Sequence, residues 1–327
     1  MAVQVRAGAR APRPVRSLDE FVQSEAIVHF DGDFRAYAEC HIGPMTHALH
    51  YGTGCFEGIR AYWSEAQGRL LVFRGPEHFA RLRQSARILQ MTVPMEPDAM
   101  LALTVELLRR NRFETDAYIR PLVYKAGEEI GVRLGGVRDG FLVYAAPFGD
   151  YVDIRNGLRC MVSSWRRIDD CMAPARAKIT GSYVNAALAK SEALDNGFDE
   201  AIMLGADGHV SEGSAENLFL VRSGTLVTPA VTDNILEGIT RATVLQLWSE
   251  DLGLPVQERP VDRSELYTAD EVFLCGTGAQ VSPVVEVDRR PVGDGRIGPY
   301  VTRLQSLYFD VVRGKVEKYR EWVTPVD

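Results

Sequence analysis

Three hairpin signatures, separated by stretches of helical periodicity, restrict this chain to a mixed architecture in which antiparallel strands share their cores with amphipathic helices. Residues 26–30 and 34–39 flank Asp31-Gly32-Asp33, 201–204 and 209–212 flank Ala206-Asp207-Gly208, and 218–222 and 225–228 flank Ser223-Gly224. Each pairs β-forming runs with a turn that tolerates positive φ.

The segment 77–90 places Phe79, Leu82, Ala86 and Leu89 on one helical face, and 97–112 does the same with Met100, Leu101, Val105 and Leu108. Strands are expected over 117–124 and 140–146, bracketing a glycine-rich loop at 127–136, and again over 158–164 and 271–275. Helices are expected over 182–196, closed by Gly197 as a C-cap, over 240–252 and near 300–312. The fold class is α+β. With 327 residues there is length for two domains. The expected organisation is a partly disordered arm over 1–24, a smaller domain over 25–145, a connection over 146–155 where Pro147 and Gly149 interrupt the pattern, and a larger domain over 156–327.

Composition removes several function classes. Hydrophobic residues at 46% and charged residues at 25% are those of an ordinary globular protein, and a net charge of -7 is no footprint for nucleic acid. No apolar run approaches the ~18 residues of a membrane span. Cys40, Cys55, Cys160, Cys171 and Cys275 are odd in number and form no CxxC, which argues for a reducing cytoplasm and against a zinc site. His47 and His50 complete no ligand spacing, so a structural role is expected for them and no metal.

Lysine is scarce, with five in the chain against 32 arginines. Lys315, Lys318 and Lys190 read as solvated surface charges, and Lys125 follows an apolar run in a position to line a pocket, with no carboxylate partner evident. Lys178 stands apart, in Pro174-Ala175-Arg176-Ala177-Lys178-Ile179-Thr180-Gly181-Ser182-Tyr183, and the run Ser211-Glu212-Gly213-Ser214-Ala215-Glu216-Asn217-Leu218-Phe219 follows. An amine on a small-residue loop with a strand-borne carboxylate downstream is what pyridoxal phosphate requires: a nucleophile for its aldehyde and an anion for its pyridine nitrogen. Gly238-Ile239-Thr240 before a helical run and Gly276-Thr277-Gly278 after a strand offer backbone N–H groups and hydroxyls to a phosphate.

Taken together these motifs resemble the branched-chain amino-acid aminotransferases of the class IV, fold-type IV pyridoxal-phosphate enzymes. The resemblance covers about 26–325. It includes His47-Ala48-Leu49-His50-Tyr51-Gly52-Thr53, Phe56-Glu57-Gly58-Ile59-Arg60, Glu77-His78-Phe79-Ala80-Arg81-Leu82, Tyr118-Ile119-Arg120-Pro121, Glu237-Gly238-Ile239-Thr240-Arg241 and Cys275-Gly276-Thr277-Gly278-Ala279. It implies a smaller N-terminal α/β domain, a larger β-barrel-like domain with helices, and a homodimer or higher homo-oligomer with each active site bordered by the partner's small domain. It also implies the exchange of an amino group between branched-chain L-amino acids and 2-oxoglutarate.

Residue by residue, the resemblance implies that Lys178 carries the cofactor and shuttles the proton, and that Glu212 faces the pyridine nitrogen. A charge pair near ~4 Å is worth about 4 kcal/mol at an effective dielectric of ~20, enough to raise that nitrogen's pKa by about three. Arg81, Ile239, Thr240 and Thr277 are implied at the phosphate and Tyr183 at the phenolic oxygen. Tyr118, Thr277 and Gly278 are implied at the substrate α-carboxylate, Arg120 at a second carboxylate, and Tyr51, Phe56, Phe148 and Tyr151 as walls of the side-chain pocket. Phe148 stands where the family often has a larger aromatic, and the 127–136 loop has its own composition. Both bear on which amino acids are accepted. D-amino-acid and (R)-amine aminotransferases and aminodeoxychorismate lyase share the fold and stand as the alternative; a non-catalytic relative would need only the phosphate cup, not Lys178 and Glu212 together.

Overall fold

A computed structural model describes residues 26–149 and 154–327. The expected arm over 1–24, part of the connection 146–155, and Tyr151 lie outside the described residues. No described helix is long and apolar enough to cross a membrane.

The first half builds an eight-stranded antiparallel sheet. Its strands are β1 (Ile27–Phe30), β2 (Asp33–Ala36), β3 (Gly54–Phe56), β4 (Ile59–Ser64), β5 (Arg69–Phe73), β6 (Ala117–Lys125) and β7 (Asp139–Pro147). The last strand of the chain, Val323–Pro325, pairs with β5 and completes this sheet. β6 and β7 run in register for their full length, from Ala117 opposite Pro147 to Lys125 opposite Asp139. That register explains Lys125: its ammonium is buried against Asp139 Oδ1 at 2.8 Å and the Gln90 carbonyl at 2.9 Å, so the carboxylate missing from its sequence neighbourhood comes from the next strand. Three helices join this half: α1 (His47–Tyr51), α2 (Gly75–Ile88) and α3 (Pro97–Asn111). Phe79, Leu82, Ala86, Met100 and Leu108 pack on Ile59, Ile119 and Val143 of the sheet, as the helical periodicity predicts. The expected second strand over 34–39 stops at Ala36, because Tyr37–Glu39 winds into a single 3-10 turn.

The second half forms a nine-stranded mixed sheet. In chain order its strands are β8 (Leu158–Arg166), β9 (Glu200–Leu204), β10 (Val210–Gly213), β11 (Asn217–Arg222), β12 (Thr225–Thr228), β13 (Val256–Glu258), β14 (Glu271–Gly276), β15 (Gln280–Val287) and β16 (Arg290–Pro291). β8 and β9 are parallel and joined through α4 (Tyr183–Asp195), which packs Ala189 and Ala193 on Ala201 and Met203. α5 (Ile239–Glu250) and α6 (Pro299–Val312) cover β11 and β14 through Val244, Trp248, Leu304 and Tyr308. Tyr62 and Phe73 of the first sheet belong to this same core, and the Tyr62 and Tyr308 hydroxyls meet at 3.1 Å. The two sheets are thus joined by apolar burial, and each large aromatic buried there contributes on the order of 1.5–3 kcal/mol.

Candidate active site

The Lys178 loop is stitched to the first sheet although it belongs to the second half of the chain. Phe56 N–H donates to the Lys178 carbonyl (3.0 Å), Thr180 N–H to Gly54 (2.8 Å) and Gly181 N–H to Gly52 (3.1 Å), so residues 178–181 run beside β3 like an added strand. The approach is so close that a Cβ on Gly52, which holds φ +63°, would stand 2.6 Å from the Gly181 Cα. Gly52→Ala is therefore expected to cost about 2–4 kcal/mol, from the left-handed backbone and the overpacking together. The urea midpoint checks this; a shift worth less than ~0.5 kcal/mol would contradict it.

Lys178 projects into a cleft of about 870 Å³ between the sheets. Its Nζ lies 2.6 Å from the Tyr183 hydroxyl at the start of α4 and 5.2 Å from the centre of the Phe56 ring. Glu212 enters the same cleft because β10 carries a bulge. Val210 pairs with Leu204, but Glu212 pairs with Met203, the next residue along β9, instead of skipping one. Neighbouring strand positions face opposite ways. Val210 consequently joins the core with Leu204 on one face while Glu212 reaches the cleft on the other. Its carboxylate accepts from Arg167 at 2.7 Å, Asn217 Nδ2 at 2.9 Å and Leu236 N–H at 3.2 Å, which leaves acceptor capacity toward the cleft. Burial pushes the Glu212 carboxyl up, and Arg167, Leu236 and Lys178 oppose that rise.

At the other end of the cleft, Arg81 of α2 is clamped from behind. Its Nε and Nη2 donate to the two Glu57 oxygens at 2.7 Å each, and Nη1 donates to the Glu237 carbonyl at 2.7 Å. His78 Nδ1 donates to Glu57 at 2.7 Å. Burial works against the Glu57 charge, yet Arg81 and His78 hold its carboxyl down at about 2, and burial lowers His78 so that it is a neutral donor. The Arg81 guanidinium faces the N-terminus of α5, where Gly238 makes no side-chain cap and the amides of Ile239 and Thr240 border the cleft. Uncapped amides at a helix N-terminus bind anions. A Cβ on Gly238 would lie 2.0 Å from Asn217 Oδ1, so the turn that brings these amides to the cleft tolerates only glycine.

Along the remaining wall, Arg120 Nη2 donates to the Tyr118 hydroxyl at 2.7 Å, and its guanidinium lies 4.2 Å from the Phe56 ring centre. Tyr118 packs on Phe148 with ring centres 5.1 Å apart. Gly58 leaves room for the Tyr118 hydroxyl, which a Cβ there would meet at 2.3 Å.

The cleft brings together Lys178, Arg81, Tyr183, Glu212, Ile239, Thr240 and Thr277, and with them Phe56, Tyr118, Arg120, Phe148 and Gly278. Tyr51 stands outside it: its ring packs on His47 and its hydroxyl accepts from Gly131 N–H at 3.1 Å. His47 and His50 bond Thr53 and the Pro44 carbonyl, each at 2.7 Å, and so hold α1. Sequence reasoning assigned no role to Glu57 or Arg60, although both sit inside quoted motifs. Arg60 is buried and donates to the carbonyls of Gly278 (3.3 Å), Phe148 (3.1 Å) and Gly149, tying the glycine turn after β14 to the segment after β7. Arg167 was missed as well. Lys190 was misread: it is no solvated charge, since it lines the cleft and pairs with buried Glu200 at 2.6 Å.

An amine beside a phenol, a buried carboxylate across from it, and an arginine with free helix amides at the far end fit the aldehyde, the pyridine nitrogen and the phosphate of pyridoxal phosphate, and define a class IV aminotransferase. The family model described as amino-transferase class IV matches residues 54–287. An Aquifex aeolicus protein named "probable branched-chain-amino-acid aminotransferase" is 47% identical over 297 residues, which is 91% of this chain and 96% of that one. The crystal structure of the branched-chain aminotransferase of Thermoproteus uzoniensis with norvaline aligns at a TM-score of 0.88 and 43% identity, covering 92% of this chain and 99% of that one. That of the Thermobaculum terrenum enzyme in its PLP-bound holo form aligns at 0.89 and 38%, covering 93% and 100%. The chain belongs to the branched-chain-amino-acid aminotransferase family of the class IV aminotransferases.

Proposed function

We propose that the protein transfers an amino group between branched-chain L-amino acids and 2-oxoglutarate with pyridoxal phosphate as cofactor, giving branched 2-oxo acids and L-glutamate. The observation that carries this is the placement of Lys178 against Tyr183 in a cleft with Glu212 on its floor and the Arg81 clamp beyond. When bound, pyridoxal phosphate supplies an aldehyde that exchanges amines and a ring that accepts electrons from the substrate α-carbon. The chain's residues do the rest. Glu212, fixed by Arg167 and Asn217, offers a carboxylate to the ring nitrogen. Tyr183 would donate to the phenolic oxygen, and Arg81, Ile239, Thr240 and Thr277 would hold the phosphate. Lys178 would be the amine placed to hold and move the proton of the substrate α-carbon. Tyr118 and Gly278 receive the α-carboxylate. Phe56 and Phe148 present apolar surface to branched side chains, where each methylene is worth about 1–3 kcal/mol of discrimination, while Arg120 serves the distal carboxylate of the second substrate.

Tyr51 and its surroundings support a homodimer. Ile42, Met45, Leu49, Ile130 and Val132 are all exposed, and the Thr46–Glu128 bridge and the Gly131–Tyr51 bond draw their segments together. An apolar surface of that kind calls for a partner. A second copy covering it would bring Tyr51 to the neighbouring cleft. The free cysteines fit a cytoplasmic location.

The test is the visible spectrum of the protein loaded with pyridoxal phosphate, before and after L-leucine. Conversion to the pyridoxamine form, reversed by 2-oxoglutarate, is expected. A spectrum unmoved by L-leucine but moved by a D-amino acid or an (R)-amine overturns the substrate reading and leaves the cofactor assignment standing.

A further inference from the structure

Beneath the turn that carries Glu212 three carboxyls lie close together. Glu200, Glu212 and Glu216 are all buried, at 1%, 4% and 5% exposure. Lys190 bonds Glu200 and the Asp199 carbonyl at 2.6 Å each, and Arg167 bonds Glu212 at 2.7 Å. Glu216 has no ion-pair partner among the described residues; its Oε2 accepts the Ala215 N–H at 3.0 Å. The Gly213 N–H in turn donates to the Glu216 carbonyl at 2.7 Å, so the carboxyl is folded under its own turn.

We propose that Glu216 is a neutral carboxylic acid in the working protein and acts as a positioning residue through Glu212: uncharged, it leaves the buried 212–217 turn with a single carboxylate to hold in place. The proposal rests on the reading of Glu212 as the partner of the ring nitrogen. The groups facing Glu216 are Glu200 from β9, Lys190 from α4, Glu212 from its own turn, Cys160 from β8 and Cys275 from β14. Burial raises both thiols, so neither adds a charge. Burial first, and then the neighbouring Glu200, push the Glu216 carboxyl up to about 8. An acid raised in this way stabilises the fold below the ordinary carboxylate range, and that stabilisation is lost as pH rises through about 8. Once ionised, Glu216 repels Glu212 and Glu200, which are buried with it.

Replacing a protonated acid by an amide keeps its shape. The melting temperature of the cofactor-free protein is therefore expected to fall between pH 5 and 8.5 in the wild type and to fall less in Glu216→Gln, which melts several degrees higher at the alkaline end, roughly what a change of ~1–2 kcal/mol produces in a protein of this size. In Lys190→Met, where Glu200 loses its cation, the fall is expected to be steeper than in the wild type. Parallel curves for either variant overturn the proposal, and the second keeps it testable if the first does not fold. Affinity for pyridoxal phosphate reads the coupling to Glu212: between pH 7 and 9 the wild type is expected to weaken at least ~5-fold more than Glu216→Gln, about 1 kcal/mol. Equal weakening overturns the coupling. If the wild type binds no pyridoxal phosphate at pH 7, the functional reading itself fails, while the melting curves still decide whether Glu216 holds a proton.

Discussion

Lys178→Ala is expected to lower amino-group exchange by at least about 10²–10⁴-fold, the range supplied by a positioned proton-transfer group, and, with Lys178 proposed as the residue that carries the cofactor, to remove its covalent attachment. The size of the effect depends on whether another amine can substitute. Lys190 shares the cleft, but its Nζ is held at 2.6 Å by both Glu200 and the Asp199 carbonyl, and an anion at that distance favours the non-nucleophilic ammonium. Lys125 is committed to Asp139 and Gln90 at the end of β6 and lines no part of the cleft. The fold is expected to survive within about 1 kcal/mol, as the substitution removes one side-chain hydrogen bond at a half-buried position. Single-turnover rates measure the loss, and borohydride reduction followed by peptide mass mapping shows where pyridoxal phosphate is attached. Attachment at Lys178 in the wild type and at no other lysine in the variant is the expected result. Turnover retained within tenfold in the variant would sink the assignment.

What could be read in the sequence divides by the range of the interaction that reveals it. Lys178 and the Gly238-Ile239-Thr240 turn are local signals, an amine on a small-residue loop and a glycine before a helix, while Arg81 and Glu212 were placed by the motifs that carry the family resemblance. The structure gathers them in one cleft. Partners far apart in sequence leave no such trace. Glu57 lies 24 residues from Arg81, and Arg60 lies 218 residues from the Gly278 carbonyl it binds, so their roles follow only from topology. Lys190 looked solvated because its helix resembles any surface helix, whereas its counter-ion sits on β9 in the adjoining sheet layer. The strands that escaped notice have similar causes. β4 carries the charged Arg60, which breaks an apolar run until its carbonyl partners are known. β15 contains Pro283, which argues against a central strand; its pairing with β8 begins only at Val284, past the missing N–H. Glu212 was found for its motif, but nothing in the sequence shows the bulge that turns it into the cleft.

Glu57→Gln is the second change of large effect, because it leaves the Arg81 guanidinium buried without its counter-charge. Glu57 is fully buried, with a carboxyl held at about 2 against an ordinary 4.5. That depression corresponds to about 3 kcal/mol, and breaking a buried ion pair by removing one partner costs about 3–5 kcal/mol in general. The two figures agree, so a loss of roughly 3 kcal/mol in urea unfolding at neutral pH is expected. The sign of the pH dependence separates charge from shape. A depressed carboxyl contributes stability above its unfolded value near 4.5 and loses it as pH falls toward about 2. The stability curves of the wild type and of Glu57→Gln should therefore stand apart at pH 7 and converge toward pH 2, or toward the lowest pH at which both remain folded. A gap that persists unchanged on the acid side would mean that packing, and not charge, is what Glu57 contributes. Removing both partners is expected to cost less than the two single changes together: in Glu57→Gln with Arg81→Gln no unpaired charge remains, and a coupling of at least ~1–2 kcal/mol should appear in the double-mutant cycle. Cofactor affinity, by contrast, should not recover in the double variant, because the guanidinium at the phosphate end of the cleft is gone. That divergence between recovered stability and lost affinity is the signature of a carboxylate whose task is to hold an arginine in place.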